Sequence, residues 1–161
     1  MSDVLERMTP DLYAQTRYFK NYRTEGWGEP CSMSRVLVSG ADKLRELAGV
    51  PLIVHCGFEV RNSGFHPKGL AMDCHLVGVP LLQQLYLAMR IMEFTGIGVY
   101  PNWNNPGLHL DVRELNGMPR TMWKAKYVRK TIDEWCQYVM KDGKKIQEYE
   151  NLNNIYTVVY R

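Results

Sequence analysis

The chain has 161 residues, 45% of them hydrophobic and 23% charged, with a formal net charge of +3. That is the size and composition of one globular domain able to bury a core without disulfides, and so mild a positive balance does not point to nucleic acid. No apolar run approaches the roughly 20 residues that cross a bilayer, and MSDVLERMTPDLYAQ lacks the apolar centre of a secretory signal. The expectation is therefore a monomer made in the cytoplasm, with no membrane span. Cys31, Cys56, Cys74 and Cys136 show no CxxC pairing and are expected to be reduced, with Cys56 and Cys74 reading as small apolar strand residues.

Thr9-Pro10 followed by DLYAQTRYFKNY reads as a first helix, with Thr9 as N-cap and Pro10 at the first helical position. GWGEPC is a loop, and Met33 to Leu47 predicts a second helix that Gly49 ends. The β-branched run VPLIVHCGFEV predicts a buried strand. Arg61 to Gly69 predicts a loop, GLAMDCHLV a second strand, and Pro80 to Phe94 a helix that opens at proline. GIGVYP and LHLDVR are two further strands around the turn NWNNPG. From KAKYVRK onward the pattern predicts a helix to about Met140, a turn at Asp142-Gly143 and a final strand. The KAKYVRK run itself reads as a solvated helix start that could also attract anionic polymers. Together these elements predict an α+β fold, with a small antiparallel sheet and helices packed on one side. The domain would run from residue 1 to 123, with residues 124–161 as a helix and strand extension.

One region carries chemistry. His66 and Asp73 lie seven residues apart in SGFHPKGLAMDCH, and His109 follows in GLHLDVR. Zinc takes imidazole nitrogen and carboxylate oxygen, and three protein ligands leave a position for water. Side chains alternate along a strand, so Asp73 shares a face with Ala71 and His75, while His109 shares one with Asp111. Both strands thus present polar groups on one side and core residues on the other, as a cleft on one sheet face requires. Spacing alone leaves two readings open: a zinc site, or a set of polar groups satisfied by hydrogen bonds without any metal.

The run HPKGLAMD resembles the HxxGxAxD signature of the zinc D-alanyl-D-alanine carboxypeptidases and the related cell-wall L,D- and D,D-endopeptidases, which share their fold with the hedgehog signalling domain. KLRELAGVPLIVHCGFEVR is similar to that family's helix and strand leading to an SGYR turn, and GIGVYPNWNNPGLHLDVR to its closing GxGxYP…HxD segment. The resemblance covers Ser34 to Arg113, about half the chain. It implies a zinc ion held by His66, Asp73 and His109 in a cleft on the sheet, and hydrolysis of a peptide bond in peptidoglycan stem or cross-link peptides. Without a signal, the expected setting is a phage or prophage endolysin, acting at the cell wall.

The chain departs from the family at several points. Ser63 and Gly64 replace the usual serine spacing before the first histidine, and CGFE replaces SGYR, putting Glu59 where arginine is usual. Arg61 is the candidate to hold a substrate carboxylate through its planar fork, with Ser63 and Tyr100 as further substrate-side residues and Trp103 beside Tyr100 as either cleft lining or packing. The acid that many relatives carry three residues before the last histidine is Pro106 here. Asp111 is then the candidate catalytic base, or a group that orients a ligand. In the latter case Glu59 or His55 would take the proton. His55 and His75 otherwise read as structural. The missing acid also motivates a second reading, a non-catalytic zinc-bearing module that binds wall or belongs to a phage particle.

Overall fold

The computed structural model describes residues 6–124. The first helix, α1 (Pro10–Gln15), is capped by Thr9, whose hydroxyl accepts the Leu12 N–H at 3.2 Å. It is shorter than DLYAQTRYFKNY suggests, because side chains offer the backbone other partners at its end. The Thr16 hydroxyl donates to the Tyr13 carbonyl and accepts the Phe19 N–H, and Asp42 accepts the N–H groups of Arg17 and Tyr18, both at 2.9 Å. The chain turns there and buries Phe19 edge-on against Trp27.

Helix α2 (Arg35–Ala48) ends at Gly49, which adopts φ +68°. Its apolar residues Leu37, Val38, Ala41 and Leu44 are fully buried, as a one-sided stripe at helical spacing dictates. Strands β1 (Leu52–Cys56) and β2 (Ala71–Leu76) follow, then α3 (Leu81–Met89), β3 (Gly96–Tyr100), β4 (Gly107–Asp111) and β5 (Thr121–Lys124). Helix α3 stops before Phe94, the end expected from the apolar pattern. Ile91 and Phe94 are instead buried in the tight turns that lead into β3.

The strands form one sheet in the order β1-β2-β4-β3-β5. Three pairings are antiparallel, but β3 and β5 run parallel, so the sheet is mixed rather than antiparallel throughout. The parallel edge arises because the chain leaves β4 through a 3-10 turn at Arg113–Asn116 and a left-handed Gly117, and returns beside β3 in β3's own direction. Strand β5 ends on Lys124, which the basic run had assigned to the start of a helix. The expected extension beyond it lies outside the described residues.

Helices α2 and α3 touch each other and the same sheet. Leu52, Val54, Met72, Cys74, Leu76, Ile97, Val99, Leu108 and Leu110 turn inward to join Leu37, Leu44 and Leu85 in one core. The fold is α+β. Before β2 the backbone passes Ser32 at Gly69, where φ is +66° and a Cβ would lie 1.9 Å from the Ser32 carbonyl oxygen. Only glycine fits so close an approach, and it is this crossing that brings His66 under the sheet face opposite the helices.

Candidate metal centre

On the face away from the helices, cross-strand partners line up in a single row. Cys56 pairs with Asp73, Asp73 with His109, His109 with Gly98 and Gly98 with Trp123. Three of the five are polar groups able to bind metal. The row includes Cys56 because β1 carries a bulge: Val54 pairs with Cys74, yet the next paired residue is Cys56, leaving His55 unpaired. A bulge of this kind re-aims side chains, so Cys56 leaves the apolar set where Cys74 remains. The reading of both cysteines as apolar strand residues holds for Cys74 alone.

His66 reaches the row from the 3-10 turn His66–Lys68. Its Nε2 lies 3.3 Å from Nδ1 of His109 and 3.4 Å from Oδ1 of Asp73, and His109 Nδ1 lies 3.0 Å from the same oxygen. Two donors on a tetrahedral zinc with bonds near 2.0–2.1 Å stand about 3.3 Å apart. The triangle therefore already has the span that the ion would impose.

The surroundings also settle which nitrogens face inward. His66 Nδ1 lies 2.7 Å from the Gly57 carbonyl, which can only accept, so Nδ1 carries a hydrogen and Nε2 is the nitrogen turned to the triangle. His109 Nε2 lies 3.0 Å from Oδ2 of Asp111, so there Nε2 carries a hydrogen to the orienting group and Nδ1 faces the triangle. Asp111 is in turn gripped by Arg113, whose Nε and Nη2 donate to its two oxygens at 2.9 and 2.7 Å. Arg113 lies between the Phe65 and Trp123 rings, 5.0 and 4.7 Å from their centroids, an arrangement that favours its charge.

Free of metal, the cluster holds protons instead. Burial opposes charge on His66, but the hydrogen bonds and charge of Asp73, with Cys56 and the Gly57 carbonyl, outweigh it and push the imidazole up to about 10. His109 is raised in the same way, its burial overcome by Asp111 and Asp73. Asp73 is held well below the usual carboxylate range: burial works against this, but the two histidines prevail. The site has the electrostatics of a cation cage.

Cys56, His66 and Asp73 also form a group that could hold a metal ion, each offering a donor atom within 4.8 Å of the others. The Cys56 thiol is 3.7 Å from His66 Nδ1, the nitrogen turned toward Gly57 and away from the triangle. His66 Nε2, Asp73 and His109 Nδ1 thus face one another, with Cys56 beside them.

The other sequence-derived candidates fall at three distances from this centre. Asp111 is completely buried with both oxygens engaged, the position of a group that orients His109. Arg61 pairs with Glu59 at the rim, and each lies 3.8 Å from the Cys56 thiol. Ser63 is exposed on the adjoining loop. Tyr100 stacks on Trp103 at 4.3 Å and accepts a hydrogen bond from the Trp123 indole. Trp123, whose ring centre is 5.2 Å from that of His109, was not singled out from sequence, because TMWK is too short to show periodicity. Arg113 was also passed over, though its place two residues after Asp111 in HLDVR is a signal for it.

Compared with models of known protein families, with curated proteins and with solved structures, the chain gives no match.

Proposed function

We propose that this chain is a zinc metallopeptidase that hydrolyses a peptide bond in the stem or cross-link peptides of peptidoglycan, in the setting of a phage or prophage endolysin. The observation that supports it best is the convergence of His66 Nε2, Asp73 Oδ1 and His109 Nδ1 within 3.0–3.4 Å, at the residues where HPKGLAMD and HLD resemble the zinc carboxypeptidases and endopeptidases. Bound there, zinc supplies a Lewis acid and a water acidified to near neutral pH. The protein's own contribution is orientation: Gly57 fixes His66, and the Asp111–Arg113 pair fixes His109.

With Asp111 engaged on both oxygens, the base falls to Glu59, a half-exposed carboxylate beside Cys56 at the rim. Arg61, its partner, is the group to receive a substrate carboxylate. Tyr100, Trp103 and Trp123 supply an aromatic wall on the other side of His109, suited to an apolar or stacked part of the substrate. Purified protein loaded with one equivalent of zinc is expected to release new amino groups from peptidoglycan. Glu59→Gln should lose that activity while keeping its zinc.

Cys56 favours a second reading. A thiolate moved onto the ion would complete four protein ligands, and closed four-ligand sites are structural. The chain would then be a zinc-bearing wall-binding or phage structural module. Binding of peptidoglycan without release of amino groups would favour it over the peptidase.

A further inference from the structure

The chain has four histidines, and the metal triangle uses two. The other two, His55 and His75, also meet. His55 Nε2 lies 2.6 Å from His75 Nδ1, with the rings stacked at 4.8 Å between centroids. Their meeting is a product of the bulge. His55 is the extra residue of β1, freed from ladder pairing between Val54 and Cys56, and its ring turns onto the neighbour strand at His75.

We propose that His55 and His75 form a second, two-imidazole site for a divalent transition ion of the zinc, nickel or copper class, on the same sheet face as the first. The donor type selects those ions over magnesium or calcium, which take oxygen. The span suits them too: two cis nitrogens on such an ion stand about 2.9–3.3 Å apart. The 2.6 Å between these rings widens to that by a small rotation of the exposed His55 side chain. Among the described residues neither ring has another hydrogen-bond partner, so the remaining nitrogens, His55 Nδ1 and His75 Nε2, are free to carry the hydrogens. In the metal-free pair one facing nitrogen donates to the other. An ion replaces that hydrogen bond when the donating ring moves its hydrogen to its other nitrogen, with no net change in protonation.

The two sites are separate. His75 is two residues beyond Asp73 along β2, about 7 Å by strand rise, too far for a two-metal centre with ions roughly 3.5–4 Å apart. An ion on the pair would instead sit near Gly107, where a Cβ would lie 3.1 Å from that of His75 and which pairs with Tyr100 on the next strand. This site does not rest on the peptidase reading.

Zinc binding to the untagged full chain, followed by equilibrium dialysis, is expected to show a tight class and a weaker class. His55→Gln and His75→Gln, made separately, should each weaken the second class by about tenfold or more, the loss of an effective-concentration advantage, and leave the first unchanged. His109→Ala should do the reverse. On the zinc-loaded protein, one added equivalent of copper(II) should give an electron paramagnetic resonance spectrum with two coordinated imidazole nitrogens, reduced to one in either variant. Wild-type stoichiometry, affinity and copper spectrum in both single variants would overturn the proposal. Absence of the tight class in every protein would count against the His66–Asp73–His109 centre, while the His55-dependent class still decides this one.

Discussion

His109 and Asp111, two residues apart on β4, face each other through Nε2 and Oδ2 at 3.0 Å. Because an ionised carboxylate can only accept, this contact puts a hydrogen on Nε2, and Nδ1, 3.0 Å from Asp73, is the nitrogen whose proton a metal ion would replace. A buried aspartate thus orients His109, and Arg113 grips the aspartate.

Asp111→Asn should therefore act on metal affinity before it acts on chemistry. Loss of such an orienting partner costs about 10–100-fold in affinity, and zinc added to saturation should restore most of the turnover. Competition with a chelator measures the first and a zinc titration of activity the second. Unchanged affinity with a collapsed kcat would instead make Asp111 the base.

The metal-free protein should lose stability at alkaline pH. His66 is raised from its ordinary 6.5 to about 10, so its contribution is complete below 6.5 and is lost as pH rises through about 10. Asp73 is shifted down, so its contribution is present above the ordinary 3.8 and is lost as pH falls below that value. The Tm of chelator-treated protein should be highest between these limits and fall from pH 7 to 10, while zinc-loaded protein, its imidazoles neutral and ligated, should hold steady. Zinc uptake at pH 7 should release protons, seen as a buffer-dependent heat in calorimetry. An alkaline-stable metal-free protein would contradict the assigned protonation.

Gly96→Ala tests the packing behind Asp111. A Cβ on Gly96 would stand 2.1 Å from Asp111 Oδ1 and 2.4 Å from Arg113 Nε, so the ion pair must shift. Overpacking of this kind costs about 1–3 kcal/mol. Zinc affinity should fall together with the denaturation midpoint, in contrast to Gly64→Ala, whose Cβ meets nothing within 4 Å and whose only penalty is a φ of +90°.

Gln84, buried on α3, accepts the Leu76 N–H at 3.0 Å and donates to the carbonyls of Val79 and Pro106 at 2.9 and 3.1 Å. It ties the end of β2 to the loop that enters β4. Gln84→Leu should cost about 1–3 kcal/mol for each backbone group that water cannot reach, measured by urea unfolding, with hydrogen exchange rising first at Leu76.

The local physics of the chain was legible in its sequence. Alternation placed Asp73 with His75 and His109 with Asp111, because a strand has no other way to arrange successive side chains, and proline, threonine and glycine marked the helix ends. The HPKGLAMD and HLD runs named the three residues that converge. Long-range contacts decided the rest. A bulge, which is a mismatch between two strands and not a property of either, turned Cys56 onto the site face and freed His55 from pairing. The parallel return of β5 brought Trp123 beside His109 from a segment with no pattern of its own. Asp111, open in sequence to the roles of base or orienting group, is buried with its oxygens on His109 and Arg113, since a carboxylate away from water needs whatever donors the fold brings to it.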